Sequence, residues 1–205
     1  LIGTIIKPKL GLNPKDHAKS AYQSWIGGCD IVKDDENLAS QNFNEFKERI
    51  VLTLKAKKLA EKDTGERKIY LPNVTAETGE MLRRARLVQK HKGKFVMLDI
   101  FTAGFSALET LRKNSKLAIH AHRAMHAALT RNERHGISMM VLADFARLIG
   151  VDSLHIGTGI GKMEGGIQNI EEIKDEIEKS YVPETSLRLK QNWYGLKPVM
   201  AVCSG

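Results

Sequence analysis

The run Gly27-Gly28-Cys29-Asp30-Ile31-Val32-Lys33-Asp34-Asp35-Glu36-Asn37 holds the side chains of this sequence best suited to chemistry. Cys29, Ile31 and Val32 read as a short buried strand, after which the acidic residues begin abruptly. The side-chain period of a strand is two, so Lys33 and Asp35 share a face. Glu36 follows at the turn and can swing a second carboxylate towards the same point. Two hard oxygen ligands suit Mg²⁺, which accepts carboxylates and keeps its other positions for waters and substrate oxygens. An unmodified lysine, itself a cation, is a poor neighbour for that metal. A neutral amine that adds CO₂ becomes a carbamate, a third anionic oxygen ligand. The same run also reads as a solvated acidic turn after a strand, since short motifs match by chance often.

Two further stretches carry candidate groups. In His120-Ala121-His122-Arg123 both histidines fall on one face of a straight strand, with His126 a turn further on. A zinc site is conceivable there, but hydrogen-bonded or core roles suit His120 and His126 better. His122 and Arg123, at the strand's end, are placed to meet an anion. Gly157-Thr158-Gly159-Ile160-Gly161-Lys162-Met163-Glu164-Gly165 looks superficially like a phosphate loop. Met163 stands where a nucleotide-binding loop needs a hydroxyl, so a glycine-hinged lid carrying one lysine is the better physical reading. A plain surface turn competes with it.

The elements that must position these groups alternate. A strand opens at Gly3 and ends in Lys7-Pro8-Lys9, because Pro8 removes a ladder donor. Asn13 caps a helix that begins at Pro14, runs through Trp25 and stops at Gly27-Gly28. Further strands are expected at Cys29–Lys33, Ile69–Val74, Phe95–Ile100, Leu117–His122, Leu154–Gly157 and Lys197–Cys203. Helices are expected from about Phe43 to Lys62 (apolar face Phe46, Ile50, Leu52, Leu54, Leu59), and at Glu80–His91, Ala107–Lys113, Ile137–Ile149 and Ile167–Lys179. About seven short apolar strands alternating with helices describe a parallel α/β fold. A doubly wound sheet and a (β/α)₈ barrel both fit. Lys7/Lys9, Lys33/Asp35/Glu36, Asn73, Asp99, His122/Arg123, His155 and Ser204 all fall at the C-terminal ends of their strands. That distribution favours a barrel with its active site on one rim over a sheet with a single switch point. The reading is a (β/α)₈ TIM barrel with its eighth βα unit missing.

Composition narrows the partners. The chain has 205 residues, 42% hydrophobic and 27% charged, which is ordinary for a soluble globular protein. No apolar run is long enough to span a bilayer, and no basic-then-apolar leader opens the sequence, so no membrane partner is expected. Cys29 and Cys203 both sit in apolar strand-like contexts and read as buried thiols in a reducing compartment, hence a cytoplasmic location. The net charge of +8 is scattered and aromatics are only 6%, which argues against a nucleic-acid stacking platform. A small polyanionic substrate explains a basic cleft equally well.

Gly3–Leu12 (GTIIKPKLGL), Gly27–Asn37 (GGCDIVKDDEN), His120–Ala127 (HAHRAMHA) and His155–Gly165 (HIGTGIGKMEG) resemble, in the same order, segments of the large subunit of ribulose-1,5-bisphosphate carboxylase/oxygenase. The resemblance runs over nearly the whole chain. It implies that residues 1–205 form a single partial catalytic barrel domain, first strand to seventh, without the family's N-terminal domain or eighth strand. By the same resemblance this piece alone has little or no carboxylase activity. Ile5, Ile156 and the segment from Gly166 to Gly195 depart from the plant-like pattern, which points to a microbial, archaeal-like branch.

Carried over residue by residue, the resemblance implies that Lys33 is the lysine carbamylated by activator CO₂, with Asp35 and Glu36 as the other Mg²⁺ ligands. The carbamate is then the base for the first proton abstraction, which gives an enediolate. Lys7 resembles the acid/base lysine near the reacting carbons, and Lys9 supports it electrostatically and binds substrate. His122 looks like the base for hydration and cleavage. Arg123 and His155 resemble phosphate ligands, Ser204 a ligand of the sugar backbone, and Lys162 the lid lysine that meets the new carboxylate. The implied activity is a lyase reaction that fixes CO₂ onto ribulose-1,5-bisphosphate and yields two molecules of 3-phosphoglycerate. The competing reaction with O₂ is an oxidoreductase, monooxygenase activity. The implied assembly is a homodimer or higher oligomer. A carboxylase-like relative that only enolises or isomerises a related sugar phosphate is the alternative. Such relatives usually lose one of the residues matching Lys7, Lys9 and Lys162, whereas this chain has all three. A non-catalytic polyanion-binding module is a more distant third.

Overall fold

Three short parallel strands pair in register at the start of the chain: β1 (Gly3–Ile5), β2 (Ile31–Lys33) and β3 (Ile69–Leu71). Ile5 lies opposite Lys33, and Lys33 opposite Leu71. The computed structural model describes residues 1–132, 134–159 and 166–204. They belong to two compact units, Leu1–Leu98 with Asn114–Ala118, and Asp99–Lys113 with Ile119–Gly205.

In the first unit, α1 (Pro14–Ile26) starts where Asn13 accepts from the backbone N–H of Lys15 and Asp16. It buries His17, Ala18, Ala21 and Trp25 along one stripe. Trp25 is wholly buried and donates to the Ile69 carbonyl at 3.3 Å. The next helix, α2 (Phe46–Thr64), packs against α1. It begins at Phe46 and not Phe43, because Glu45 is the extended cap whose carboxylate accepts from Glu48 N–H. Its buried face is Phe46, Arg49, Ile50, Thr53, Leu54 and Ala60, whereas Leu59 is exposed. Gly65, with φ of +72°, closes it in the left-handed conformation. α3 (Thr78–Lys90) and β4 (Phe95–Asp99) follow. β4 joins the end of β3 in parallel through Asn73 and Met97, and Met97 N–H donates to the Pro72 carbonyl at 2.8 Å.

The second unit contains α4 (Ile100–Ala103), α5 (Phe105–Asn114, through Lys113), β5 (Ala118–His122, from Ile119), α6 (Ala127–Thr130), α7 (Met139–Ile149), β6 (Ser153–Thr158) and α8 (Gly166–Glu178). An antiparallel pair, β7 (Tyr181–Val182) with β8 (Gln191–Asn192), precedes β9 (Met200–Ser204). β5, β6 and β9 run parallel, with His120 opposite Ser153 and Leu154 opposite Ala201. α7 and α8 pack on each other and on β6. The β7–β8 pair, α4 and α6 were not expected from the sequence, and β9 starts at Met200, later than Lys197. Among the described residues no helix is long and apolar enough to cross a membrane. The chain is thus an α/β protein whose larger sheets are built from parallel strands joined by helices, beside the small antiparallel β7–β8 pair.

The thiols depart from the expected burial. Both cysteines are free, but Cys29 is only half-buried and Cys203 is exposed. A β-carbon added at Gly159 would lie 4.0 Å from its sulfur, so the residue facing Cys203 has no side chain to cover it.

Candidate active site

β2 delivers Lys33 as its last residue, and the chain then leaves the sheet through Asp34, Asp35 and Glu36. The Lys33 amine is 8% exposed by residue. It donates to the Asp34 carbonyl at 3.0 Å, and lies 3.4 Å from Glu36 Oε2 and 3.6 Å from Met97 Sδ. Asp35 is buried, and its two oxygens are held differently. Oδ1 accepts from the backbone and side-chain amides of Asn37, both at 2.9 Å, while Oδ2 accepts from the Lys7 ammonium at 2.5 Å. Burial alone would push the Asp35 carboxyl up; the Lys7 and Asn37 hydrogen bonds outweigh it and hold the group below its ordinary range. Lys7, Lys33, Asp35 and Glu36 therefore come together as the sequence suggested. Lys9 does not join them; it is exposed in the bend after β1.

Asp34 points the other way, as strand alternation requires. It is fully buried and receives hydrogen bonds from His17, Arg49, Tyr70 and the Asn73 backbone. Burial opposes ionisation there, but the Arg49 guanidinium, His17 and Tyr70 keep the carboxyl far below the ordinary range. The Tyr70 phenol is in turn pushed well above its usual value by burial and by the Asp34 charge. Sequence reading gave no role to Asp34 or Asn37 and took Asn73 only as a polar strand end. The available signal was alternation itself: a carboxylate between Lys33 and Asp35 must face the helices, and Arg49 sits on a largely apolar helix face.

The second unit gathers another set. His122 ends β5; its Nδ1 accepts from the Ala124 amide at 3.2 Å and lies 3.3 Å from Asp99 Oδ1. The His122 and His155 rings are 5.5 Å apart. Arg123 is buried, and desolvation draws its guanidinium below the ordinary arginine value. It packs over Gly157, where a β-carbon would fall 2.9 Å from Arg123 Nη2. The register of β6 against β9 shifts between His155 and Gly157. The irregularity brings Thr158 opposite Ser204, their hydroxyl oxygens 2.7 Å apart. His122, Arg123, His155 and Ser204 are thus neighbours. His120 is buried against Ser153 at 2.9 Å, and His126 Nδ1 lies 3.2 Å from the Arg123 carbonyl, both hydrogen-bonded roles. Lys162 and the rest of the expected lid, residues 160–165, lie outside the described residues.

Among the described residues no group of three or more His, Cys, Asp and Glu side chains converges to hold a metal. Asp35 and Glu36 offer two carboxylates beside a lysine amine, and a cation, the Lys7 ammonium, already rests on one of them. This donor set fits a hard divalent ion when Lys33 contributes a third anionic oxygen, as a carbamate would.

Comparison with known proteins identifies the family. The model of the family described as "Ribulose bisphosphate carboxylase large chain, catalytic domain" matches residues 1–205. The chain is 51% identical to the ribulose bisphosphate carboxylase of Methanocaldococcus jannaschii over 208 residues, covering 100% of this chain and 49% of that protein. It is 53% identical to that of Methanosarcina mazei over 211 residues, with the same coverage. Among solved structures, the dimeric archaeal Rubisco from Hyperthermus butylicus matches with a TM-score of 0.92 at 44% identity, over 100% of this chain and 49% of that one. The octameric ribulose-1,5-bisphosphate carboxylase/oxygenase from Pyrococcus horikoshii gives 0.89 at 45% identity, over 100% and 46%. The chain spans about half the length of the curated relatives it matches. With a family model matched from first residue to last and relatives more than half identical over the whole chain, this chain belongs to the ribulose bisphosphate carboxylase large-chain family.

Proposed function

We propose that the protein carrying this chain is a Mg²⁺-dependent ribulose-1,5-bisphosphate carboxylase/oxygenase of the archaeal kind, and that residues 1–205 supply much of its (β/α)₈ catalytic barrel. The observation that carries this reading is the grouping of Lys7, Lys33, Asp35 and Glu36 in a chain about half identical to archaeal carboxylases throughout. An oligomer, dimer or larger, is the proposed working form, in keeping with the dimeric and octameric relatives.

Asp35, Glu36 and a carbamylated Lys33 would hold the Mg²⁺. When bound, the ion supplies Lewis acidity to the sugar's carbonyl and hydroxyl oxygens. Lys33, once carbamylated, would take the first proton from the substrate carbon. Lys7, exposed on one side and paired with Asp35 on the other, is placed to pass a proton at the reacting carbons. His122, beside the Asp99 carboxylate, serves as the base that activates water for hydration and cleavage. Arg123 presents a planar donor fork to a phosphate from a dry, fixed position, with His155 beside His122 as a second phosphate ligand. Ser204, held by Thr158, binds the sugar backbone, and Lys9 contributes positive field. Lys162 meets the carboxylate that the added CO₂ becomes.

The test is incubation of the full protein with CO₂ and Mg²⁺, then with ribulose-1,5-bisphosphate and labelled CO₂. Two molecules of 3-phosphoglycerate per sugar consumed are expected, one of them labelled. Lys33→Ala is expected to abolish both CO₂-dependent activation and Mg²⁺ retention. Metal binding that stayed CO₂-dependent in Lys33→Ala would show that another lysine is modified.

A further inference from the structure

Between Lys33 and Asp35, both turned towards the proposed metal, stands a carboxylate that cannot be a ligand. Asp34 is 0% exposed, and four donors fill its two oxygens. Oδ1 is met by His17 Nε2 at 3.0 Å and the Tyr70 hydroxyl at 2.6 Å. Oδ2 accepts from Arg49 Nε at 3.1 Å and the Asn73 backbone N–H at 3.0 Å. A carboxylate has about four lone-pair sites, so nothing remains for a metal. The donors come from α1, α2, β3 and the turn after β3, so the carboxylate is fixed from several directions.

The same partners reach the segment that follows. Asn73 Nδ2 donates to the Glu36 carbonyl at 3.0 Å, and lies 3.4 Å from that of Asp35. Arg49 spends its remaining donors on the carbonyls of Ala39 at 2.7 Å and Asn44 at 3.0 Å. The backbone that carries both carboxylate ligands is thereby tied at residues 34, 36, 39 and 44 to groups that also hold, or are held by, Asp34. An ordinary acidic turn after a strand would be solvated; this one is anchored from beneath.

We infer that Asp34 is a positioning residue, whose network with His17, Arg49, Tyr70 and Asn73 sets the backbone so that Lys33, Asp35 and Glu36 converge on one cation. The inference rests on the metal reading proposed above. Partners that orient metal ligands typically contribute 10- to 100-fold in affinity, and this network is of that kind although it acts through the backbone.

Titration of the full protein with Mn²⁺, with and without CO₂, tests it, together with ¹³C-NMR of the carbamate formed from ¹³CO₂. Asp34→Asn keeps the shape but removes the charge that Arg49 faces, and a broken buried pair can prevent folding. Tyr70→Phe removes one donor and keeps the ring, so it decides the question alone if Asp34→Asn does not fold. The expected result is a folded Tyr70→Phe protein, by circular dichroism, whose CO₂-dependent Mn²⁺ affinity falls about tenfold or more and whose carbamate signal is reduced. Unchanged affinity and carbamate in folded Tyr70→Phe would overturn the positioning role and leave Asp34 as a stabilising core pair. Absence of CO₂-dependent Mn²⁺ binding in the unsubstituted protein would overturn the metal reading, and this inference with it.

Discussion

Lys7 and Asp35 are 28 positions apart and their charged atoms lie 2.5 Å apart. The ammonium is largely in solvent, whereas the carboxylate is buried. This pair occupies one of the few anionic oxygens available to a cation, so the lysine and the metal compete for Asp35. Lys7→Met should therefore raise CO₂-dependent Mn²⁺ affinity about two- to fivefold, the range of a partly exposed ion pair, while removing turnover. A binding titration checks it; lower affinity would mean that Lys7 helps to place Asp35 for the metal. At this scale period-two alternation and the turn offered Lys33, Asp35 and Glu36 as a group, beside the plain reading of a solvated acidic turn, and the family resemblance supplied their expected roles. Asp34 was given no role. Its four donors lie 15 to 39 positions away, on α1, α2, β3 and the turn after β3. Alternation separates the two adjacent aspartates, but only the folded chain shows which groups make Asp34 a buried anchor.

Among the elements, helix ends were legible and helix faces less so. Asn13-Pro14, Gly65 and Gly150 mark ends by local chemistry, and the structure uses each of them at a cap, whereas the Ser138 cap lies inside the helix expected from Ile137. α7 is apolar on nearly every side: Met139, Met140, Leu142, Ala143 and Ala146 are buried, while Val141, Phe145 and Leu148 are exposed. Its buried stripe also includes Arg147, whose guanidinium lies 4.4 Å over the Trp193 ring and donates to the Glu176 and Lys179 carbonyls. Asp144 lies on the same helix. No hydrogen bond reaches its Oδ1 among the described residues. Burial, reinforced by the Glu176 carboxylate on α8 and opposed by Arg147, raises its pKa to about 7. Arg188, paired with Glu176 and Glu172, completes the charged surroundings of that helix pair. The folded state thus keeps a proton on Asp144 that the unfolded chain releases near its ordinary value of 3.8. The stabilisation is complete below that value and is lost as pH rises towards about 7. Asp144→Asn removes the titration. It should leave stability at pH 4 nearly unchanged and raise it at pH 8 by on the order of 1 kcal/mol, discounted for partial exposure. Urea unfolding at the two pH values measures this; equal shifts at both would mean that Asp144 is ionised throughout.

For the whole molecule, the proposed chemistry divides along the chain. Lys7, Lys33, Asp35 and Glu36 belong to the first compact unit, and His122, Arg123, His155 and Ser204 to the second. The alternation of strands and helices that suggested a parallel α/β fold is local and was read easily. Closure of a barrel depends on pairings across the whole chain, which no local pattern encodes. The division gives the proposal a sharp consequence. Abstraction of the substrate's C3 proton calls on the first set alone, through the Lys33 carbamate. Addition of CO₂ creates a new anion, which falls to Lys162, in the sequence beyond Ile119. Lys162→Ala should therefore reduce carboxylation far more than exchange of the C3 proton with solvent. Losing one charge-assisted contact at a developing anion costs about 10²–10³ in rate, whereas exchange should fall less than about tenfold. Lys33→Ala, in contrast, should remove both. The measurement pairs labelled-CO₂ fixation with tritium or deuterium wash-in at C3 on the same protein samples. If Lys162→Ala lowered the two rates equally, the lysine would bind substrate in general and would not discriminate the carboxylated state. If it lowered neither, the glycine-rich segment would be a surface turn, and enolisation without carboxylation would become the better account of the chain's chemistry.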